Sequence, residues 1–196
     1  MKIYLAGKVS KYGDWRAEII GGRQAEWLNV DEPWKTRPGI VLGKHDYTGP
    51  FFIGCDHGCY HGATSHGMRG THDSYECSEI APTAEDIVDQ CLEAMRRSDL
   101  VFAWIDSPDA YGTLIEIGYA FAAGIPVAVA VKDGLGVPKK PEEGQMSEGR
   151  NEFWFAGEMG LGQRLFHAET AKVALLKVLQ FHRQLKTMTA VAGELA

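Results

Sequence analysis

The chain has 196 residues, 45% hydrophobic and 23% charged, which is enough for one globular domain with a full core and too little for a second large one. Its formal net charge of −6 argues against a nucleic-acid surface, because such surfaces displace counterions with clustered Lys and Arg; a small molecule is the expected partner. No window reaches the roughly 20 apolar residues of a membrane span, the apolar start Ile3-Tyr4-Leu5-Ala6 is too short for a signal-peptide core, and four cysteines do not make a secreted disulfide framework, so a cytoplasmic protein without a membrane partner is expected.

Lys2 to Ala6, followed by Gly7, reads as a buried first strand ending in a tight turn, and Trp15 to Trp27 as a helix interrupted at Gly21-Gly22. From about Asn29 to Cys77 periodicity fades, and residues 43–78 read as a long irregular insertion within a single domain spanning 1–196. Regular structure returns at Thr83, whose hydroxyl can cap a helix running to about Ser98 with Ile87, Cys91, Leu92 and Met95 as its apolar stripe. Leu100 to Ile105 is a continuous apolar run, the pattern of a strand covered on both faces. Thr113 to Ala123 reads as a helix closed by Gly124, and Pro126 to Val131 as another buried strand. Strands alternating with helices imply an α/β fold with a parallel sheet and helices on both faces. Lys132 to Arg150 is polar and loop-like; a last helix from about Ala168 to Lys186 should turn Val173, Leu176, Leu179 and Leu185 inward.

Ligands of open parallel sheets bind beyond the carboxyl ends of the strands. Three segments fall there: the turn after Leu5, the loop Asp106 to Gly112 with the helix after it, and the loop after Val131. Glu116 stands out within them, and two readings compete. Thr113-Leu-Ile-Glu116 fits a capping box, in which the glutamate bonds back to the backbone of the cap residue. Alternatively, Glu116 lies on one helical face with Ala120 and Ala123 and among Leu114, Ile115 and Ile117, where a carboxylate is desolvated and has room for a ligand beside it.

Tyr4-Leu-Ala-Gly7, Ser98-Asp-Leu-Val101 and the block from Asp109 to Val127 together resemble the nucleoside 2-deoxyribosyltransferase family. In that block Gly112-Thr113, Glu116, Gly118-x-Ala120 and Gly124-x-Pro-Val127 fall in register, and the match is more specific than any single piece. The resemblance implies a flavodoxin-like (Rossmann-like) fold and a homo-oligomer. It also implies that Glu116 attacks the anomeric carbon of a nucleoside or nucleotide, forming a glycosyl-enzyme ester resolved by a second base in a transferase or by water in a hydrolase. Tyr4 would orient that carboxylate. Asp109 or Asp106 is the candidate acid for the departing base. No cofactor is expected. Two other readings are nicotinamide dinucleotide hydrolysis, although no Gly-x-Gly-x-x-Gly follows the first strand, and a nucleotide-sensing domain without turnover.

Further candidates for substrate binding are Gly7, Lys8 and Trp15 after the first strand, Gly112 and Thr113 before Glu116, and Asn151 and Trp154, which resemble a late family segment. Lys8, Ser10, Lys11 and Arg16 can hold a 5′-phosphate or form a solvated face. The insertion holds five of the seven histidines and three of the four cysteines, but its Cys55-Asp-His57-Gly-Cys59-Tyr-His61 run lacks the paired Cys-x-x-Cys of zinc modules. The preferred reading is a lid in which His57 and Tyr60 can meet a nucleobase; a solvated surface insertion and a structural zinc site are the alternatives. Where many family members carry an Asp, eight residues ahead of Asp99, this chain has Cys91.

Overall fold

The computed structural model describes residues 1–8, 14–20, 39–50, 84–136 and 151–194. In chain order the elements are β1 (Lys2–Gly7), α1 (Arg16–Ile20), β2 (Gly39–Ile40), β3 (His45–Gly49), α2 (Ala84–Arg96), β4 (Leu100–Ile105), α3 (Tyr111–Ala122), β5 (Val127–Lys132), α4 (Trp154–Glu158), β6 (Leu165–Ala168) and α5 (Ala171–Glu194). The strands lie in the order β2-β3-β1-β4-β5-β6. Five of them are parallel, and the two-residue β2 is an antiparallel edge on β3.

Numbered by sequence, the five parallel strands run 2-1-3-4-5, the flavodoxin-like order. The chain leaves β1 toward β3 on one side and returns past β1 to β4 on the other. The carboxyl ends of β1 and β4 therefore flank the topological switch point, where such sheets open a crevice.

Strand alternation divides the core into two layers. Ile3, Leu5, Leu100, Phe102, Ala128 and Ala130 pack with Ile19 of α1 and with Leu175 and Val178 of α5. Tyr4, Ala6, Val101, Ala103, Val127 and Val129 face the other way, against Met95 of α2 and Ile117 and Ala120 of α3. The period of two is thus what turns Tyr4 toward α3. At the opposite end of the sheet, Asp99 ties the two central strands together. It accepts from the Lys2 N–H through Oδ2 at 2.7 Å, and its own N–H donates to the Lys2 carbonyl at 2.9 Å.

Four expectations change. The irregular stretch expected from residue 43 begins with a strand, since His45–Gly49 is β3 and pairs directly with β1. A five-residue strand with a buried half, reading His-Asp-Tyr-Thr-Gly, gives too weak an alternation to stand out. Strand β6 likewise escaped notice as a four-residue edge. Helix α3 begins at Tyr111, two residues before Thr113, and Gly124 after it takes a left-handed φ of 70°, as a terminating glycine does. In α5 the buried face is Ala171, Ala174, Leu175, Val178 and Leu179, while Val173 and Leu176 are exposed and Leu185 is half-buried. The two alanines allow the helix to approach the sheet closely; a reading that favours large apolar residues misses them and sets the helix out of phase. No described helix is long and apolar enough to cross a membrane.

Candidate active site

Glu116 lies on α3, the helix that follows β4 across the switch point. The capping-box reading does not hold. The residue before the helix is Ala110, which makes no side-chain cap bond, so Glu116 sits in the second turn and beyond reach of the cap residue's N–H. Its Oε1 instead accepts a hydrogen bond from the Tyr4 phenol at 2.6 Å.

Tyr4 is fully buried on β1. Burial, with the Glu116 and Cys91 side chains next to it, holds its phenol well above the ordinary range, so it stays a donor. Burial also raises the Glu116 carboxyl, while the Tyr4 bond and the charge of Arg16 oppose that rise. Cys91 of α2 makes a side-chain hydrogen bond with the same phenol. The position where the resembled family often has a carboxylate is therefore occupied here by a thiol in contact with Tyr4.

The two candidate acids separate. Asp106 follows β4 directly and is half-buried, and desolvation raises its carboxyl. Asp109 is exposed and forms a 2.6 Å ion pair with Lys8. That bond, helped by the Ser107 hydroxyl, lowers the Asp109 carboxyl to about 2. A carboxyl held that low is ionised near neutral pH and has no proton to give there, which favours Asp106 of the two candidate acids.

The turn after β1 is packed more tightly than its sequence suggests. A Cβ on Gly7 would lie 2.6 Å from Cζ2 of Trp15, so only glycine admits the indole there. Trp15 also meets Phe102 edge-to-face at 6.1 Å. Arg16, expected on an exposed phosphate-binding face, is fully buried instead. Its guanidinium donates to both Asp14 carboxylate oxygens at 2.9 and 3.0 Å, to the Leu5 carbonyl at 2.8 Å and to the Gly7 carbonyl at 2.6 Å. Of the other residues in that proposed cluster, Lys8 is paired with Asp109, and Ser10 and Lys11 lie outside the described residues. Asp14 was not singled out beforehand. Its signal is an acid two residues before a basic helix start: the Asp14 carboxylate also accepts from the Arg16 N–H at 2.9 Å, an N-capping contact.

Thr113 is buried, and among the described residues its hydroxyl has no hydrogen-bond partner; Gly112 is exposed, with no described atom where a side chain would be. Asn151 and Trp154 lie on the segment after β5 and line an open groove together. The Asn151 amide donates to the Leu135 carbonyl and accepts from the Phe153 N–H, both at 2.9 Å. Trp154 is partly exposed and lines, with Arg164 and His167 among others, an open groove of about 380 Å³ to which Tyr4, Asp106 and Glu116 contribute nothing. His57 and Tyr60 lie outside the described residues, as does the rest of the His/Cys-rich run.

The structure thus brings Tyr4, Gly7, Trp15, Asp106, Thr113 and Glu116 to the carboxyl ends of β1 and β4. A desolvated carboxylate held by a buried phenol, with a second carboxyl raised by burial at the adjacent strand end, is suited to covalent chemistry at an electrophilic carbon. A family model described as nucleoside 2-deoxyribosyltransferase matches residues 55–152, half of the chain and the half that carries Asp106 and Glu116. No curated protein sequence matches. Among solved structures, a 2-desoxiribosyltransferase from Leishmania mexicana is similar at 17% identity and a TM-score of 0.46, covering 92% of this chain and 98% of its own. On the family match, the chain belongs to the nucleoside 2-deoxyribosyltransferase family.

Proposed function

We propose that the protein cleaves or transfers the N-glycosidic bond of a deoxynucleoside or its 5′-monophosphate by double displacement on Glu116. The observation that carries this reading is the 2.6 Å hydrogen bond from Tyr4 to Glu116 at the switch point. It fixes one carboxylate oxygen and leaves the other to attack.

In the first step a Glu116 oxygen bonds to C1′ of the sugar while the C1′–N bond breaks, and the electron pair goes to the base. Asp106 gives the base nitrogen a proton, so the base leaves neutral. In the second step a new base, or water, bonds to C1′, the ester to Glu116 breaks, and Asp106 takes up the proton that the attacking group releases. Two inversions give net retention. Tyr4 offsets the desolvation of Glu116, which must be ionised to attack and must leave again as a carboxylate.

Incubation with deoxynucleosides and their monophosphates, with and without a second free base, separates the outcomes. Exchange of base identifies a transferase, and release alone a hydrolase. Absence of both, with binding retained, contradicts turnover and leaves a sensing domain.

A further inference from the structure

Arg16 is a large, fully buried cation whose guanidinium sits at the end of the strand that carries Tyr4. Two of its hydrogen bonds go to the Leu5 and Gly7 carbonyls, the last turn-facing carbonyls of the strand that carries Tyr4. Two more, both from Nη1, go to the two Asp14 carboxylate oxygens, and its guanidinium carbon lies 4.5 Å from the Trp15 ring centroid. Arginine is suited to this place because a planar fork can satisfy a carboxylate and two carbonyls at once, which an ammonium cannot. A neutral glutamine could hold strand carbonyls; a buried charge requires a further reason, since burial of an ion pair seldom adds stability over apolar packing.

We propose that Arg16 is a positioning residue of the Glu116 site, fixing the end of β1 beneath the nucleophile and supplying the buried positive charge that the Glu116 carboxylate faces. Its role rests on the reading of Glu116 as nucleophile. Among charges, that of Arg16 lowers the Glu116 carboxyl and also that of Asp106. Tyr4 comes from β1, and Cys91 from α2 through Tyr4. Arg96 of α2 lies over Tyr119 on α3 itself, and Glu93 pairs with Arg96 and Arg97. The loop before α3 supplies Asp106 and the neutralised Asp109–Lys8 pair. Lys132 of β5 acts on Asp106, and α4 carries Glu158.

The test is the titration of the Glu116 side-chain carboxyl by ¹³C NMR, with its resonance identified by loss in Glu116→Gln. It is carried out on wild type, Arg16→Gln, Arg16→Lys and Asp14→Asn, with folding followed by circular dichroism. Removal of the cation in Arg16→Gln should move the midpoint to higher pH. Removal of its counter-charge in Asp14→Asn should move it to lower pH. Arg16→Lys, which keeps the charge and loses the fork, should hold the midpoint near wild type yet lower kcat about tenfold with KM little changed. If Arg16→Gln does not fold, Asp14→Asn decides. A folded Asp14→Asn whose midpoint stays at the wild-type position overturns the proposal. The readout requires no turnover, so a protein that leaves every nucleoside intact but shows the two opposite shifts contradicts the proposed function and keeps the Arg16 assignment.

Discussion

The Tyr4 phenol on the first strand donates to Glu116 Oε1, 112 positions later in the chain, at 2.6 Å. Because the bond stabilises the charged form of the carboxylate, Tyr4→Phe removes an influence that keeps Glu116 ionised. The activity of this variant should fail at a higher pH on the acidic side than that of wild type. A hydrogen bond to a charged group contributes about 1.5–3 kcal/mol, so kcat/KM at neutral pH should fall roughly ten- to hundredfold. A pH–rate profile checks both.

Asp106 and Asp109 should part in the same measurement. Asp106, raised by burial, must hold its proton to act, so activity is lost as pH rises through its titration. Asp106→Asn should slow base release by about 10²–10⁴-fold and abolish that alkaline limb. Asp109, at about 2, is ionised across the whole range, and Asp109→Asn should leave the alkaline limb where it is.

Gly7 tests the packing of the site rather than its chemistry. A methyl group there meets the Trp15 ring at 2.6 Å, so Gly7→Ala must push the indole away from Phe102. We expect a loss of about 1–3 kcal/mol in urea unfolding, the usual cost of overpacking.

The phase of α5 has its own test. Leu175 is fully buried and Leu176 is exposed. Leu175→Ala should cost about 2–5 kcal/mol and Leu176→Ala about 0.5 kcal/mol or less, a contrast that thermal or urea unfolding resolves.

Much of this arrangement was legible where the chain is continuously apolar. The runs Leu100–Ile105 and Pro126–Val131 read as buried strands, and the observed strands Leu100–Ile105 and Val127–Lys132 are buried at every residue but Lys132. Their linkage through α3 places Glu116 at a strand end without reference to any coordinate. What could not be read were relations across long sequence distance. The spacing of Thr113 and Glu116 is equally that of a cap, and it is the helix start at Tyr111, with the bond from Tyr4, that decides against it. Arg16 resembled a surface charge because sequence carries no sign of the Leu5 and Gly7 carbonyls that it satisfies. Strand β3 was lost for a third reason: its pairing with β1, rather than its own weak pattern, makes it a strand.

The central claim, that Glu116 becomes covalently glycosylated, is tested most directly by rapid acid quench of the enzyme during turnover of a deoxynucleoside, followed by intact-mass and peptide mass spectrometry. The account predicts a deoxyribosyl adduct on the peptide that carries Glu116, absent from Glu116→Gln, together with product of retained anomeric configuration. Turnover that proceeds in Glu116→Gln, or that inverts the anomeric carbon without an adduct, would contradict it.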